Sequence, residues 1–446
     1  MRVSSPMKSV AIFFLAALSL CADDRSALKL SLRHAVELAT SSEGSARIQL
    51  ATELTRQAEA RSVQAKAALL PQIDGAIGRE NLNRSLVAFG LQLQAPVAGF
   101  QFPSVIGPFN VFDARVSGTQ TLFDLSSYRR FQASRIAIKA SKSEGANTED
   151  EVIAQVAKAY LAALRADAEK SAAQSNVELS EALLKQAESL KAAGPGTGIE
   201  ITRQRVQLAN DRQRLLFAQN ELRRTRLQLL KAINLRLDTE IELTDALTYI
   251  PVDATLVQQV KANALLARWD YKAQLERQDN ARVTSNAVKA ERLPSISSFA
   301  NYGAIGSGPN NSLPTREYGV SLRLPIFDGW RREGKRAESE SQFRQESIRS
   351  GDMKDRIDLD VRLAVDALES AENEVKVAAE GLTLAENEVA QARRRVDAGV
   401  AISLEVTDAQ TRLARARDNQ IAALFHHAQA RIDLGQATGT LRRFLQ

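Results

Sequence analysis

Apolar residues recur along this chain on two different periods. Val361, Leu368, Val375, Leu382, Val389 and Val396 are seven apart, and after a break at 397–403 so are Ala409, Ala416, Ala423, Ala430 and Ala437. Ile201, Leu208, Leu215, Leu222 and Leu229 repeat the spacing in the first half. Sustained heptads predict long helices packed as coiled coils, and alanine in the seam predicts close approach. A helix over 329–397 would run about 100 Å at roughly 1.5 Å per residue, too long for one compact globule. Such helices must double back as hairpins that pack side by side.

The second period is two. Tyr318, Val320, Leu322, Leu324 and Ile326 alternate with Gly319, Ser321 and Arg323. Phe112, Ala114 and Val116 alternate with Asp113, Arg115, Ser117 and Thr119. The candidate partner strands, 73–82 and 296–305, alternate less cleanly. Alternation with charge on one face fits a half-buried sheet, and equally a barrel wall between lipid and water.

These elements occur twice, in the same order. "AALLPQI" (67–73) returns as "AERLPSI" (290–296), "LFD" (122–124) as "IFD" (326–328), and "GIEITRQRVQLA" (198–209) as "SLEVTDAQTRLA" (403–414). Pro71 and Pro294 end one helix and start a strand, because proline lacks the N–H and pushes its predecessor out of the helical region. Asp124 and Asp328 sit where N-caps of the next helix belong, with strand running into helix without a loop. The first half carries extra residues between its strands, over roughly 84–110, read as a long loop at a hairpin tip. "GAIGSGPNN" (303–311) reads as the second hairpin's loop; a strand follows it, so it lacks the context of a phosphate loop. Tyr128, Phe131 and Trp330 lie just past the joints, where helix packing and an interfacial aromatic belt are both open readings.

Composition adds a destination. Arg2 and Lys8 precede the apolar run 10–20, the layout of a cleavable secretory signal over 1–22. Cys21 is the sole cysteine, so no disulfide forms within the chain. "LSLC" (18–21) is close to a lipoprotein cleavage box, which makes Cys21 a lipidation candidate, but the large Leu20 stands where that box wants a small residue. No later run is apolar enough for a transmembrane helix, so any membrane crossing falls to the strands. Four strands cannot close a barrel, whose minimum is about eight, so copies must join; strand counting allows a dimer or a trimer. The 59 basic and 53 acidic residues are interleaved, and their net +6 gives no nucleic-acid patch. Three histidines, His34, His426 and His427, offer no metal geometry and no catalytic constellation, so no enzyme, cofactor or metal site is expected.

The order of elements resembles the TolC-like outer-membrane efflux family. The matching stretches are the LPQI and LPSI joints, "LFD" and "LPIFDGWRR", "GIEIT" and "AISLEVTDAQTRL", and an opening helix "LSLRHAVELA" (30–39). Where the family often has Asn-Pro and Arg-Pro-Asp, this chain reads "SSEGSARI" and "ARWDYKA". The resemblance implies a mainly α fold with β, internally duplicated. Three chains would each give four strands to a twelve-stranded transmembrane barrel, continuous with a long helical coiled-coil barrel.

The implied layout is a first repeat over 23–234, with a β-hairpin at 72–123 and a helix hairpin at 125–234. An equatorial segment follows at 235–265. The second repeat covers 266–446, with hairpins at 295–327 and 329–440. The implied function is a passive exit duct in the outer membrane of a Gram-negative cell, extending into the periplasm. Its partners would be a periplasmic adaptor, an inner-membrane transporter of RND, ABC or MFS type, outer-membrane lipid and two further copies. Glu405 and Asp408, three apart on one helix face, match acids that narrow the family's periplasmic mouth; acids also favour any helix N-terminus. Glu200 matches Glu405, but Arg203 stands where a second Asp would. The hairpin tips, with Gly196, Gly198 and Ile199 in one and Gly399 and Leu404 in the other, are adaptor-docking candidates. A secreted coiled-coil scaffold or adhesin is the competing reading; it leaves the duplicated hairpins unexplained.

Overall fold

The computed structural model describes residues 27–41, 44–90, 104–194, 196–398, 400–401 and 403–445; the expected signal, Cys21 and Gly399 lie outside them. The chain opens with β1 (Leu28–Leu30), α1 (Leu32–Thr40) and α2 (Ala46–Ala67), then β2 (Gln72–Ser85) and β3 (Val105–Phe123). Next come α3 (Leu125–Ala192), α4 (Gly198–Ala232), β4 (Ile241–Leu243) and α5 (Ala254–Ala267). The second half supplies α6 (Trp269–Ala290), β5 (Ser295–Gly306), β6 (Ser312–Arg323), α7 (Arg331–Asp397) and α8 (Ser403–Ala437).

The four long strands form one antiparallel sheet in the order β2-β3-β5-β6. Its register carries the duplication. Gln72 lies opposite Thr119, and Ser295 opposite Arg323. These pairs are related by the offsets that separate Pro71 from Pro294 and Phe123 from Phe327. Both prolines stand immediately before a strand, as expected of residues that cannot continue a helix.

The helices pack as two layers end to end. Toward the sheet, α2 lies along α3, α3 along α6, and α6 along α7; beyond the middle, α4 lies along α3, α3 along α8, and α8 along α7. At 68 and 67 residues, α3 and α7 span both layers. The heptad positions are the seam: Val361, Leu368, Val375 and Val389 are buried on α7, and Ala409, Ala423, Ala430 and Ala437 on α8. In the first half Leu208, Leu222 and Leu229 are buried in the same way.

At the waist, β1 pairs in parallel with β4, a ladder too short to leave a sequence pattern. Asp245 fastens it. One carboxylate oxygen accepts from the Leu32 N–H at 2.8 Å and from the Tyr160 hydroxyl at 2.8 Å. Burial first, and then that carboxylate, push the Tyr160 phenol well above its usual range, so it stays a donor. The break between α5 and α6 occurs at Arg268 with no proline present. Its guanidinium bonds Asp270 at 2.6 Å and Asp360 at 3.1 Å instead.

Three expectations are corrected. Asp124 caps α3, accepting from the Ser126 N–H at 2.9 Å, but Asp328 does not cap α7. Gly329 and Trp330 both adopt left-handed φ, +69° and +66°, which turns the chain once more before the helix starts at Arg331. Asp328 is thereby four residues short of Arg332 and bonds its Nε at 3.0 Å. So strand meets helix directly only in the first repeat; in the second, residues 324–330 intervene. The first hairpin's connection is also shorter than 84–110, since β2 runs to Ser85 and β3 starts at Val105. Likewise β5 claims the start of "GAIGSGPNN" through Gly306.

Candidate functional site

Two regions hold unspent chemistry: the sheet and the far ends of the helix hairpins. On the sheet, opposed residues share a face. Asp113, Arg115, Ser117 and Thr119 of β3 align with Asp74 and Gln72 of β2, Asn301 of β5, and Thr315 and Glu317 of β6. On this polar face the Arg115 Nε donates to Asp113 at 2.8 Å. The other face carries Ile73, Ile77, Val116, Tyr302, Tyr318, Val320 and Leu322, every one exposed. Among the described residues both faces are thus open, and nothing packs on the apolar one. Trp330 is 71% exposed and Tyr128 is exposed as well, so neither is spent on helix packing.

At the first hairpin tip, the chain turns through Gly194 at φ +101°. Gly196 is required by close approach: a Cβ there would sit 2.5 Å from the Lys191 backbone nitrogen. Gly198, which opens α4, has no such constraint. Ile199 is 60% exposed. The Glu200 carboxylate turns back to accept the Thr197 N–H at 3.0 Å, so it caps α4.

At the second tip, Val406, Ala409 and Leu413 of α8 are buried against Leu183 of α3 and against Ala385, Val389 and Ala392 of α7. That inward face leaves Glu405 and Asp408 on its flank. Glu405 meets the Arg395 Nε at 3.4 Å across the turn from α7. Asp408 is exposed one turn before Arg412, whose own hydrogen bond goes to Glu388 at 3.0 Å. Val400 and Leu404 are exposed, as Ile199 is at the other tip. The structure therefore brings Glu405 and Asp408 onto one tip, and separates Glu200 from them by giving it a cap.

Sequence reasoning missed the contact that joins the two tips. The Gln204 side chain of α4, almost fully buried, donates to the Thr407 hydroxyl of α8 at 3.0 Å. A polar residue inside a heptad run was the available signal. It also missed His427 of α8, fully buried with its ring against Tyr249 at 4.8 Å. Burial, and next the charge of Arg431, bring this imidazole down to about 4, so it is neutral at physiological pH. Among the described residues no cluster of three His, Cys, Asp or Glu side chains is placed to hold a metal, and no helix is long and apolar enough to cross a membrane.

Comparison with known proteins agrees over nearly the whole chain. A family model described as outer membrane efflux protein matches residues 41–235 and 259–440. The pyoverdine export outer membrane protein OpmQ of Pseudomonas putida is 23% identical over 389 residues, covering 86% of this chain and 81% of its own. The Campylobacter jejuni CmeC outer membrane channel superposes with a TM-score of 0.78 at 16% identity, over 99% of this chain and 94% of that one. The open-state Neisseria gonorrhoeae MtrE outer membrane channel gives 0.77 at 17% identity, over 100% and 99%.

Proposed function

Because the chain belongs to the outer membrane efflux protein family, we propose that three copies close into one duct, a twelve-stranded barrel in the membrane continued by a helical tunnel. The chain lies in the outer membrane of a Gram-negative cell and extends into the periplasm. One observation supports closure by further copies, and the family likeness supports three of them. Among the described residues the sheet ends in two unpaired edges, β2 and β6. The helical layer likewise ends in α2 and α4 on one side and α7 on the other. The helical edges carry exposed Leu50, Leu54, Leu216 and Phe217 on the first side, and Leu359, Leu363 and Leu384 on the second. Open strand edges are not tolerated in lipid, so β6 of one copy pairs with β2 of the next, and α7 with α2 and α4.

The duct is passive. An inner-membrane transporter of RND, ABC or MFS type supplies energy, and a periplasmic adaptor docks on the tips around Gly196, Gly198, Ile199, Gly399 and Leu404. Exposed Ile199 and Leu404 give that partner apolar contacts. Segment 1–22 is the export signal, and 23–234, 235–265 and 266–446 act as first repeat, waist and second repeat. The likeness to OpmQ supports a small secreted molecule as cargo. Around the threefold axis Asp408 contributes three carboxylates to the mouth. Glu405 adds to them less, because Arg395 offsets its charge.

The test is to weigh the detergent-purified assembly and record its conductance in planar bilayers. A trimer with cation preference is expected, and Glu405→Ala with Asp408→Ala should raise conductance or weaken cation block. Unchanged conductance and ion preference would remove the acid ring. A lone, non-conducting protomer would favour the scaffold reading and end the duct.

A further inference from the structure

The two repeats of this chain are alike in their contacts as well as in their order. The Ser134 hydroxyl of α3 donates to Ser62 of α2 at 3.0 Å, and the Ser339 hydroxyl of α7 donates to Ser285 of α6 at 3.4 Å. Ser62 and Ser285 stand as far apart in sequence as Pro71 and Pro294, and Ser134 and Ser339 as far apart as Gly198 and Ser403. Two shifts therefore carry the first repeat onto the second, one taking α2 to α6 and the other taking α3 to α7 and α4 to α8.

Inside the chain α3 joins the repeats, lying along both α6 and α8. The contacts of this junction are largely polar. Arg277 of α6 pairs with Glu144 at 2.7 Å, and Ser143 donates to Glu276 at 2.7 Å. Against α8, Asn176 accepts from Arg417 at 3.0 Å, Arg165 lies over the Phe425 ring at 5.1 Å, and Lys158 pairs with Asp433 at 2.6 Å. These contacts fix one antiparallel register of α3 with each neighbour.

On the trimer reading above, three copies of two like repeats set six like units around the axis. The junction between copies then repeats the junction inside the chain. There α7 takes the place of α3, and α2 and α4 of the next copy take the places of α6 and α8. The shifts turn Ser143 into Ile348, Arg277 into Leu54 and Lys158 into Leu363. In the carried register Ile348 meets Leu54, and Leu363, Val377 and Leu384 come level with Leu227, Leu216 and Val206. All eight are exposed in the protomer. One charged pair sits among them. Leu161 and Ala428, which share an apolar cluster at the waist, become Asp366 and Arg223. Both of these are exposed and have no ion pair among the described residues.

We propose that α7 docks on the next copy in this one register. Ile348 packs on Leu54 of α2, Leu363, Val377 and Leu384 pack on Leu227, Leu216 and Val206 of α4, and Asp366 pairs with Arg223. The partner is a second copy of this chain, and neither edge is complete without it. Each interface withdraws these exposed aliphatics from water. The ring of helices then holds junctions of two kinds, polar inside each copy and apolar between copies. The aliphatics of the two edges coincide in a register that other residues set, and that coincidence selects the partner.

Paired cysteines in the full chain test the register, with each single variant as a control for the native Cys21. Oxidation joins two cysteines only where their Cα atoms come within about 7 Å. Leu216→Cys with Val377→Cys, and Leu227→Cys with Leu363→Cys, should each give a covalent trimer on denaturing gels. Exchanging partners, as Leu216→Cys with Leu363→Cys and Leu227→Cys with Val377→Cys, sets the same positions roughly 16 Å or more off level and should link none. Crossed pairs that link as well as the matched ones would overturn the register. Charge reversal gives a second reading that needs no cysteine. Asp366→Arg should lower the dissociation temperature of the oligomer, and Arg223→Asp added to it should recover most of the shift. A further loss in place of recovery would overturn the ion pair. Native mass spectrometry reports the oligomer separately. A trimer that links neither matched pair defeats this inference alone, whereas a protomer mass defeats the trimer and the interface together.

Discussion

The sheet and the coiled-coil seams use the same amphipathic code and reach opposite ends. Between α7 and α8, apolar positions are withdrawn, with Val361 at 3% and Leu368 at 4% exposure. On the sheet they stay open, with Ile77 at 80% and Tyr318 at 78%. A helix in a hairpin finds its apolar partner within the same chain. Among the described residues the sheet has no second layer; in the proposed duct its apolar face meets the acyl chains of the membrane and its polar face the water of the lumen. Burial within a protomer is therefore the wrong measure of what drives the sheet to form.

The largest effect should come from reversing that arrangement. In the proposed duct, Val320→Arg places a charge on the acyl-facing wall at a cost of about 2–4 kcal/mol per copy, borne by every copy. The heat-modifiable oligomer in the outer-membrane fraction should fall by roughly an order of magnitude. Ser321→Arg, one residue away on the polar face, should leave it nearly unchanged. Equal loss from both would erase the distinction between the faces.

Next in size is the seam. Leu368→Ala removes a buried heptad side chain and should cost about 2–4 kcal/mol, read as a lower dissociation temperature of the oligomer. Leu363→Ala, on the exposed face of the same helix, sharpens the contrast. Packed against the next copy in the proposed trimer, it should also lower the dissociation temperature; no shift would leave that face in water.

The smallest effect probes how dry the helical interior is. His427 is held down to about 4, against an ordinary value of 6.5. The unfolded chain therefore binds the proton first. Stability is whole above about pH 6.5 and falls as pH drops toward 4, by on the order of 2 kcal/mol. His427→Phe should flatten that limb in thermal melts across pH 4–7. Asp150 works in the other direction: burial raises its carboxyl to about 6, so acidification from pH 6 toward 4 relieves a buried charge. The difference between wild type and variant isolates the histidine; identical melts would mean water reaches the ring.

Much of this architecture is legible in the residues because it is periodic or punctuated. The heptads of α7 and α8, the prolines before β2 and β5, and the Asp124 cap all act within a few residues of themselves. Asp328 misled because its role turned on two left-handed residues after it, and a bulky Trp330 in that conformation is not suggested by local propensity. The pairing of β1 with β4 joins segments more than two hundred residues apart through three residues each, too few to show a period. The acids at the tips looked alike, yet Glu200 went to a backbone N–H and Glu405 to Arg395, while Asp408 stayed exposed.

By itself the chain's order of residues determined the repeat, the helix lengths and which strand positions share a face, because each follows from spacing along one backbone. Tertiary structure decided which faces remain open, which acids are already paired, and that sheet and helical layer end in matching unpaired edges. Those outcomes depend on what lies across from each residue in space. Sequence spacing sets a side chain's direction; only packing sets its neighbour.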